Sequence, residues 1–448
     1  MPEPTAESFD LIGYATEVEA DNSSRYAPSA EVLLQEKWPE FERNLVGIRD
    51  RLSEAKDQGQ HVTIILGCGG TFQSKKTERG YEPIGTLKES MEALQLPKDD
   101  THHLELFDLM NLDSSQMRPE HWGFVARAVD KLYQEVRDLT DSIIVTHGTD
   151  TMDRGGAYLS FGLQGMKLPI ILTGSQKPAF EHGGDAKDQM GRALITARLA
   201  AIEDINEVMV LCGTKVTRAT WAIKQGDTTT NAFGPWNDPR QGHDGADYER
   251  AWQEGRFAEL TPAFVDFGLG KPTGDLTFAG HALRRHQLGR YELFTDFLEA
   301  SDIYPAVMSD KRPKGLAEHI IGQQVVALVE LGSSTADDRL VDVAMAAADR
   351  GKAILRVAPF FDSIVQAGTY AAGSGIARGV EGVNRPLPIV NTSPRTLEAK
   401  TNFALASLGL SEAFTEPEGL GPILSEDDLK RFYDLMETNL VGELVGTR

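Results

Sequence analysis

Hydrophobic positions in this chain gather into short runs rich in Ile, Val and Leu, separated by longer stretches with a helical period. The first runs are His61-Val-Thr-Ile-Ile-Leu-Gly67, Leu104-Glu-Leu-Phe-Asp-Leu-Met110, Ser142-Ile-Ile-Val-Thr146, Leu168-Pro-Ile-Ile-Leu-Thr-Gly174 and Glu207-Val-Met-Val-Leu-Cys-Gly213. Continuous apolar runs suit strands covered on both faces. Helices are predicted over 119–139, 153–166 and 187–202. The alternation predicts α/β architecture with layered, mainly parallel sheets. It returns with strands over 324–331, 352–357 and 387–390 and helices over 336–350 and 395–408. A last helix over 425–440 is capped by Ser425, with Glu426 and Asp427 in its first turn.

Residues 1–60 lack strand runs and read as a helical extension, with helices over 30–37 and 41–56, that covers the sheet or a neighbouring subunit. Four regions follow: this extension, a larger domain over 61–237, a connecting segment over 238–320 with little sustained period, and a smaller α/β domain over 321–448. A chain of 448 residues is long enough for two cores.

Composition narrows the function classes. A net charge of −22 repels nucleic-acid phosphates, and no basic stripe offsets it locally. No apolar run is long enough to span a bilayer, and the start lacks the pattern of a signal peptide, so a cytoplasmic protein without membrane association is expected. The two cysteines, Cys68 and Cys212, lie at strand ends and read as buried free thiols. The histidines show no spacing that implies a metal, and no cofactor is expected.

The candidate chemistry lies where the strands end. The 61–67 run empties into Cys68-Gly-Gly-Thr71, and the 142–146 run into His147-Gly-Thr-Asp-Thr-Met152. In open α/β sheets, ligands collect outside such carboxyl ends. A threonine hydroxyl is a poor nucleophile and needs a base, a cation to bias it and donors for the developing oxyanion. Thr71, Thr149, Asp150 and Lys224 supply those types. His147 is a candidate base, but its place just ahead of the turn favours a hydrogen-bonded structural role. Asp113-Ser114-Ser115 in isolation reads as an N-cap for the helix that follows, but beside the two threonine loops ligand binding is the better reading.

These residues resemble the bacterial-type asparaginase and glutaminase family in three motifs, in the same order: Gly69-Gly-Thr71, Asp113-Ser-Ser115 and His147-Gly-Thr-Asp-Thr-Met152. The similarity extends through Leu172-Thr-Gly-Ser-Gln176, Lys224 and Asn231-Ala-Phe233. It implies a threonine-nucleophile amidohydrolase acting on asparagine or a close analogue, with a larger N-terminal and a smaller C-terminal α/β domain. Thr71 would form the acyl-enzyme, with Thr149, Asp150 and Lys224 as second hydroxyl, carboxylate and ammonium. Tyr81 would assist from a closing loop, and Asp113, Ser114, Ser115, Thr149 and Asp150 would hold the substrate. A homodimer or homotetramer with sites at subunit contacts is also implied. The chain departs from many relatives at Cys68 and Phe72 beside the nucleophile. It departs again at Gly332-Ser-Ser-Thr335, where the resemblance implies weaker binding of a free α-amino group.

Two alternatives stay within the enzymes: an amidase for a larger or N-modified amide, and an ammonia-releasing amidotransferase subunit. A non-enzymatic amino-acid-binding protein on the same fold is a third, opposed by the retention of Thr71, Thr149, Asp150 and Lys224 together.

Overall fold

The computed structural model describes residues 27–202, 204–213, 215–227, 229–235, 277–278, 281–282, 293, 303–306, 325–329, 348, 352–357, 388, 390–410, 424–441 and 443–444. The expectations for residues 1–26, for most of 238–320, for the 336–350 helix apart from Ala348 and for Gly332–Thr335 lie outside the described residues.

The main sheet has six strands in the order β4-β1-β5-β6-β7-β8, where β1 is His61–Gly69, β4 His102–Leu112, β5 Ser142–Thr146, β6 Ile170–Thr173, β7 Val208–Cys212 and β8 Lys215–Arg218. All neighbours are parallel except β7 and β8. Both faces are covered, and alternation along β1 divides its side chains between two cores. Val62, Ile64 and Leu66 face helices α1 (Ala30–Glu36), α2 (Trp38–Leu45), α3 (Ile48–Asp57), α5 (Pro119–Val136) and α6 (Met152–Gly162). Ile65 points the other way, with Ile144, Ile171 and Met209, toward α4 (Leu87–Leu94) and α7 (Ala186–Ile202). Burying each such side chain contributes about 1.5–3 kcal/mol.

The helical extension therefore covers the sheet of its own chain, through Leu33, Phe41, Leu45, Ile48 and Leu52. The helix expected over 41–56 is divided between α2 and α3, because Gly47 takes a left-handed φ of 72°. Between β1 and β4, where the sequence predicts only a polar loop, the chain forms the antiparallel hairpin of β2 (Lys75–Thr77) and β3 (Gly80–Glu82) and then α4. Thr86 caps α4 reciprocally with Glu89.

Beyond β8 come the pair β9 (Ala222–Lys224) and β10 (Phe233–Pro235), and a short pair β11 (Thr277–Phe278) and β12 (His281–Ala282). A second parallel sheet holds β13 (Ile303–Ala306), β14 (Val325–Val329) and β15 (Ala353–Val357). Of the strand expected over 387–390, only Pro388 and Val390 are described: Arg356 N donates to Pro388 O, and Val390 N donates to Arg356 O. Helices α8 (Pro394–Ser407) and α9 (Glu426–Glu437) close a separate core around Leu355, Leu397, Leu405, Phe432 and Met436. Ser425 caps α9 as its sequence predicts, accepting from Asp428 N. Helix α8 packs on α6, with Phe403 stacked on Phe161 at 5.6 Å. Among the described residues no helix is long and apolar enough to cross a membrane.

Candidate active site

Three strand-end turns meet at the carboxyl edge of the main sheet. Gly69 and Gly70 take φ of 91° and 66°, conformations open to glycine. They bend the chain off β1 into the one-turn helix Thr71–Gln73. A Cβ on Gly70 would stand 2.4 Å from the Cα of Gly148, so the β1 and β5 turns touch backbone to backbone. A Cβ on Gly148 would in turn stand 2.4 Å from Ser114 Oγ, which brings the β4 turn against the same point. Thr151 ties two of these turns by donating to Ser114 O at 2.8 Å.

Gln73 fixes the Thr71 turn from beneath. Its fully buried amide accepts from Gly69 N at 3.0 Å and Thr146 Oγ1 at 3.3 Å, and donates to Gly85 O, Asp108 and Asn111. Burial raises the Asp108 carboxyl above the ordinary carboxylate range, against the bonds from Leu87 N and Gln73. Thr71 itself is half-buried above this hub.

Across the turn lies Lys224, at the end of β9. Its Nζ stands 2.7 Å from Asp150, 2.5 Å from Asp227 and 3.4 Å from Thr149 Oγ1. Burial alone would lower this ammonium, but the bonds and charges of the two aspartates outweigh it and raise Lys224 above the ordinary lysine value. At neutral pH it is therefore a cation that fixes Thr149 and Asp150 in place and offers no basic nitrogen. Its backbone is fixed too: Lys224 N donates to the buried carboxylate of Asp153 at 3.0 Å. That carboxyl is raised by burial.

Not every sequence candidate joins this cluster. The Asp113 carboxylate, expected to bind substrate, turns onto its own loop, accepting from Ser115 N at 2.9 Å and Ser115 Oγ at 2.7 Å, and caps the one-turn helix Ser114–Gln116. Ser114 is buried against Gly148, whereas Ser115 is exposed. Tyr81 lies half exposed on β3, and its hydroxyl donates to Glu181 at 2.9 Å. That bond raises the tyrosine and lowers the glutamate. His147 is buried, with one ring nitrogen against Gly148 O at 2.7 Å and the other accepting from the Trp122 indole at 3.1 Å. Burial lowers it to about 4, so it is a neutral, structural imidazole at physiological pH. Cys68 and Cys212 are buried thiols pushed up to about 12 and about 11. They are therefore not thiolate nucleophiles.

Gln73, Asp153, Asp227 and Glu181 escaped the sequence reading. Gln73 and Asp227 lie within three residues of Thr71 and Lys224, which was a usable signal, but the partners of Asp153 and Glu181 are distant in sequence.

The arrangement presents a partly open threonine beside a second hydroxyl that is held by an ammonium–carboxylate pair. Comparison with known proteins agrees with the motifs. A family model described as "Asparaginase, N-terminal" matches residues 62–252. The L-asparaginase of Thermococcus kodakarensis is 33% identical over 176 residues, which is 39% of this chain and about half (51%) of that relative. A glutamyl-tRNA(Gln) amidotransferase subunit of the same organism is 23% identical over 399 residues, 87% of this chain and 78% of that one. The solved structure of the thermostable L-asparaginase from Thermococcus kodakarensis shares the fold, with a TM-score of 0.63 at 22% identity over 86% of this chain and 100% of that chain. The matched region contains all three turns and Lys224, and over that region the chain is similar to the asparaginase family.

Proposed function

We propose that the protein hydrolyses the side-chain carboxamide of asparagine or a close analogue to a carboxylate and ammonia through a threonine acyl-enzyme. The observation that carries this reading is Lys224 on both Thr149 and Asp150, in a turn that touches the Thr71 turn through Gly70 and Gly148. Thr71 Oγ1 attacks the amide carbon, and its proton passes by way of the Thr149 hydroxyl toward the leaving nitrogen. Ammonia departs, and water then attacks the ester to release the acid and restore Thr71. Lys224 acts as a fixed cation that lowers the cost of charge on Thr149, and Asp150 is the counter-charge for a substrate ammonium. Ser114 and Ser115 border the α-carboxylate end, and Tyr81 reaches Thr71 only once it leaves Glu181. We place this chemistry in a homo-oligomer.

The similarity to an amidotransferase component favours a second reading, in which the released ammonia passes to a partner protein. Helices α1–α3 ahead of the sheet fit a self-sufficient hydrolase better, since the amidotransferase component is expected to carry a β-rich domain there. The test is ammonia release across asparagine, glutamine, N-acylated asparagine and short peptides by the protein alone. No release from any of them overturns the hydrolase reading. Thr71→Ala is expected to abolish turnover and leave the fold intact, and a folded Thr71→Ala protein with normal turnover removes Thr71 from the mechanism.

A further inference from the structure

The amino-terminal turn of α8 reaches the site from behind at two places. On the Lys224 side, Thr396 Oγ1 donates to Thr220 O at 2.7 Å, in the buried turn Ala219–Trp221 that leads into β9. On the Asp150 side, Glu398 Oε1 accepts from Arg154 Nε at 2.7 Å and Tyr158 OH at 3.2 Å, one and two turns into α6. Asn402 binds the same tyrosine hydroxyl.

From Arg154 the contacts continue inward. Its guanidinium lies over the Trp122 ring at 5.4 Å, and Tyr158 stacks on that ring at 5.0 Å with 17° between the planes. The indole N–H donates to His147 Nε2, which leaves Nδ1 as the protonated nitrogen, donating to Gly148 O. Gly148 is the residue that touches Gly70 and precedes Thr149. Gly155 leaves room for this line, since a Cβ there would stand 2.6 Å from the Trp122 indole nitrogen. Trp122, Tyr158, His147 and Asn402 are all buried. A shift at Arg154 therefore has no slack to absorb it before Gly148.

We infer that Glu398 is a positioning residue for the Thr149–Asp150 turn, acting through Arg154, Trp122 and His147, so that the carboxyl-terminal helix α8 sets the geometry of a site built on the amino-terminal sheet. The inference rests on the proposed amide hydrolysis for its kinetic readout, but not for its structural one. Removing the Glu398 charge frees the guanidinium from its seat over Trp122, loosens the indole N–H bond and lets the imidazole exchange tautomers. The turn then samples geometries in which Thr149 and Asp150 are displaced from Thr71.

The test uses Glu398→Gln, which keeps volume and an acceptor, with Trp122→Phe, which keeps a ring but removes the donor. In the full-length protein labelled with 15N at tryptophan and histidine, Glu398→Gln is expected to shift the Trp122 indole signal and to mix the two His147 tautomers. For ammonia release it is expected to lower kcat by about 10- to 100-fold, the scale of a remote misplacement near 1 Å, with KM changed far less. The double variant is expected to lose no more than the worse single one, since both break one line. Unmoved Trp122 and His147 signals in Glu398→Gln overturn the inference, whatever happens to activity. Shifted signals with unchanged kcat also overturn it. If the wild-type protein releases no ammonia at all, the functional reading fails, while the labelled signals still decide whether Glu398 governs His147.

Discussion

Two lysine–carboxylate pairs in this molecule have the same chemistry and opposite surroundings. Lys400 of α8 and Glu443 stand 2.6 Å apart with both side chains at 0% exposure. Lys400 also donates to Thr438 O, and Glu443 accepts from the amides of Leu440 and Val441. Burial would raise Glu443, but the Lys400 charge and these donors outweigh it and hold it below the ordinary glutamate value. Lys224 and Asp150 are as close, at 2.7 Å, yet the Asp150 side chain is 59% exposed and a threonine hydroxyl completes the group. A sealed pair can only hold a segment in place, here the end of the chain against α8. An open pair beside a hydroxyl can respond to a substrate, and its energy as a surface contact is small, about 0–1 kcal/mol.

That contrast gives a graded set of tests. The largest effect is expected from Lys224→Met, which should slow acylation by about 10²- to 10⁴-fold and barely move the unfolding midpoint. Single-turnover rates beside a denaturant titration check both halves, and a large loss of stability would erase the distinction between the pairs. Lys400→Met should do the reverse, costing about 3–5 kcal/mol by leaving Glu443 buried and unpaired. Activity per folded molecule should be kept. Adding Glu443→Leu should recover most of that loss, since two well-packed apolar residues are often as stable as the ion pair. No recovery would mean that the amides of Leu440 and Val441 depend on the carboxylate.

Acidity separates the pairs further. Glu443 is depressed in the folded protein, so its contribution to stability is present above the ordinary glutamate value of 4.5 and is lost as pH falls through the lower folded value. Lys224 is raised, so its contribution is present below 10.5 and is lost only as pH rises through the higher folded value. If the ammonium form is the working one, kcat/KM should show no limb from Lys224 below that value. A wild-type limb near neutrality that vanishes in Lys224→Met would instead identify it as a neutral base. The smallest effect is expected from Asp227→Asn. Its side chain is 78% exposed and Asp150 remains on Lys224, so a change of only a few-fold in kcat/KM is anticipated. A loss as large as that of Lys224→Met would make Asp227 the dominant partner.

How much of this was legible depended on how local each signal was. The strand ends could be read because a β-branched run, glycines and hydroxyls fall within ten residues of one another at 61–71 and 142–152. The structural place of His147 was legible for the same reason, whereas Asp113, read as a ligand-binding residue, turns onto its own loop through Ser115. The hairpin of β2 and β3 was not, since Lys75–Glu82 has no apolar alternation to reveal a strand. Helix α4 could have been found from Thr86 and Glu89, three residues apart just where the apolar period starts. The break at Gly47 was likewise visible as a lone glycine in a helical pattern. Asp153 and Glu398 were out of reach, because what matters is the residues they meet, 71 and 244 positions away.

The contact between Gly70 and Gly148 has a consequence for altering this protein. Because the two loops meet through main-chain atoms, the span between the Thr71 and Thr149 turns is set by atoms that every residue shares. An added Cβ on Gly70 must push the loops apart, and one on Gly148 must first displace Ser114. Variation that leaves this span intact is therefore left to exposed side chains such as Tyr81 and Ser115. The floor of the site tolerates no variation at these two glycines that does not also change its reach.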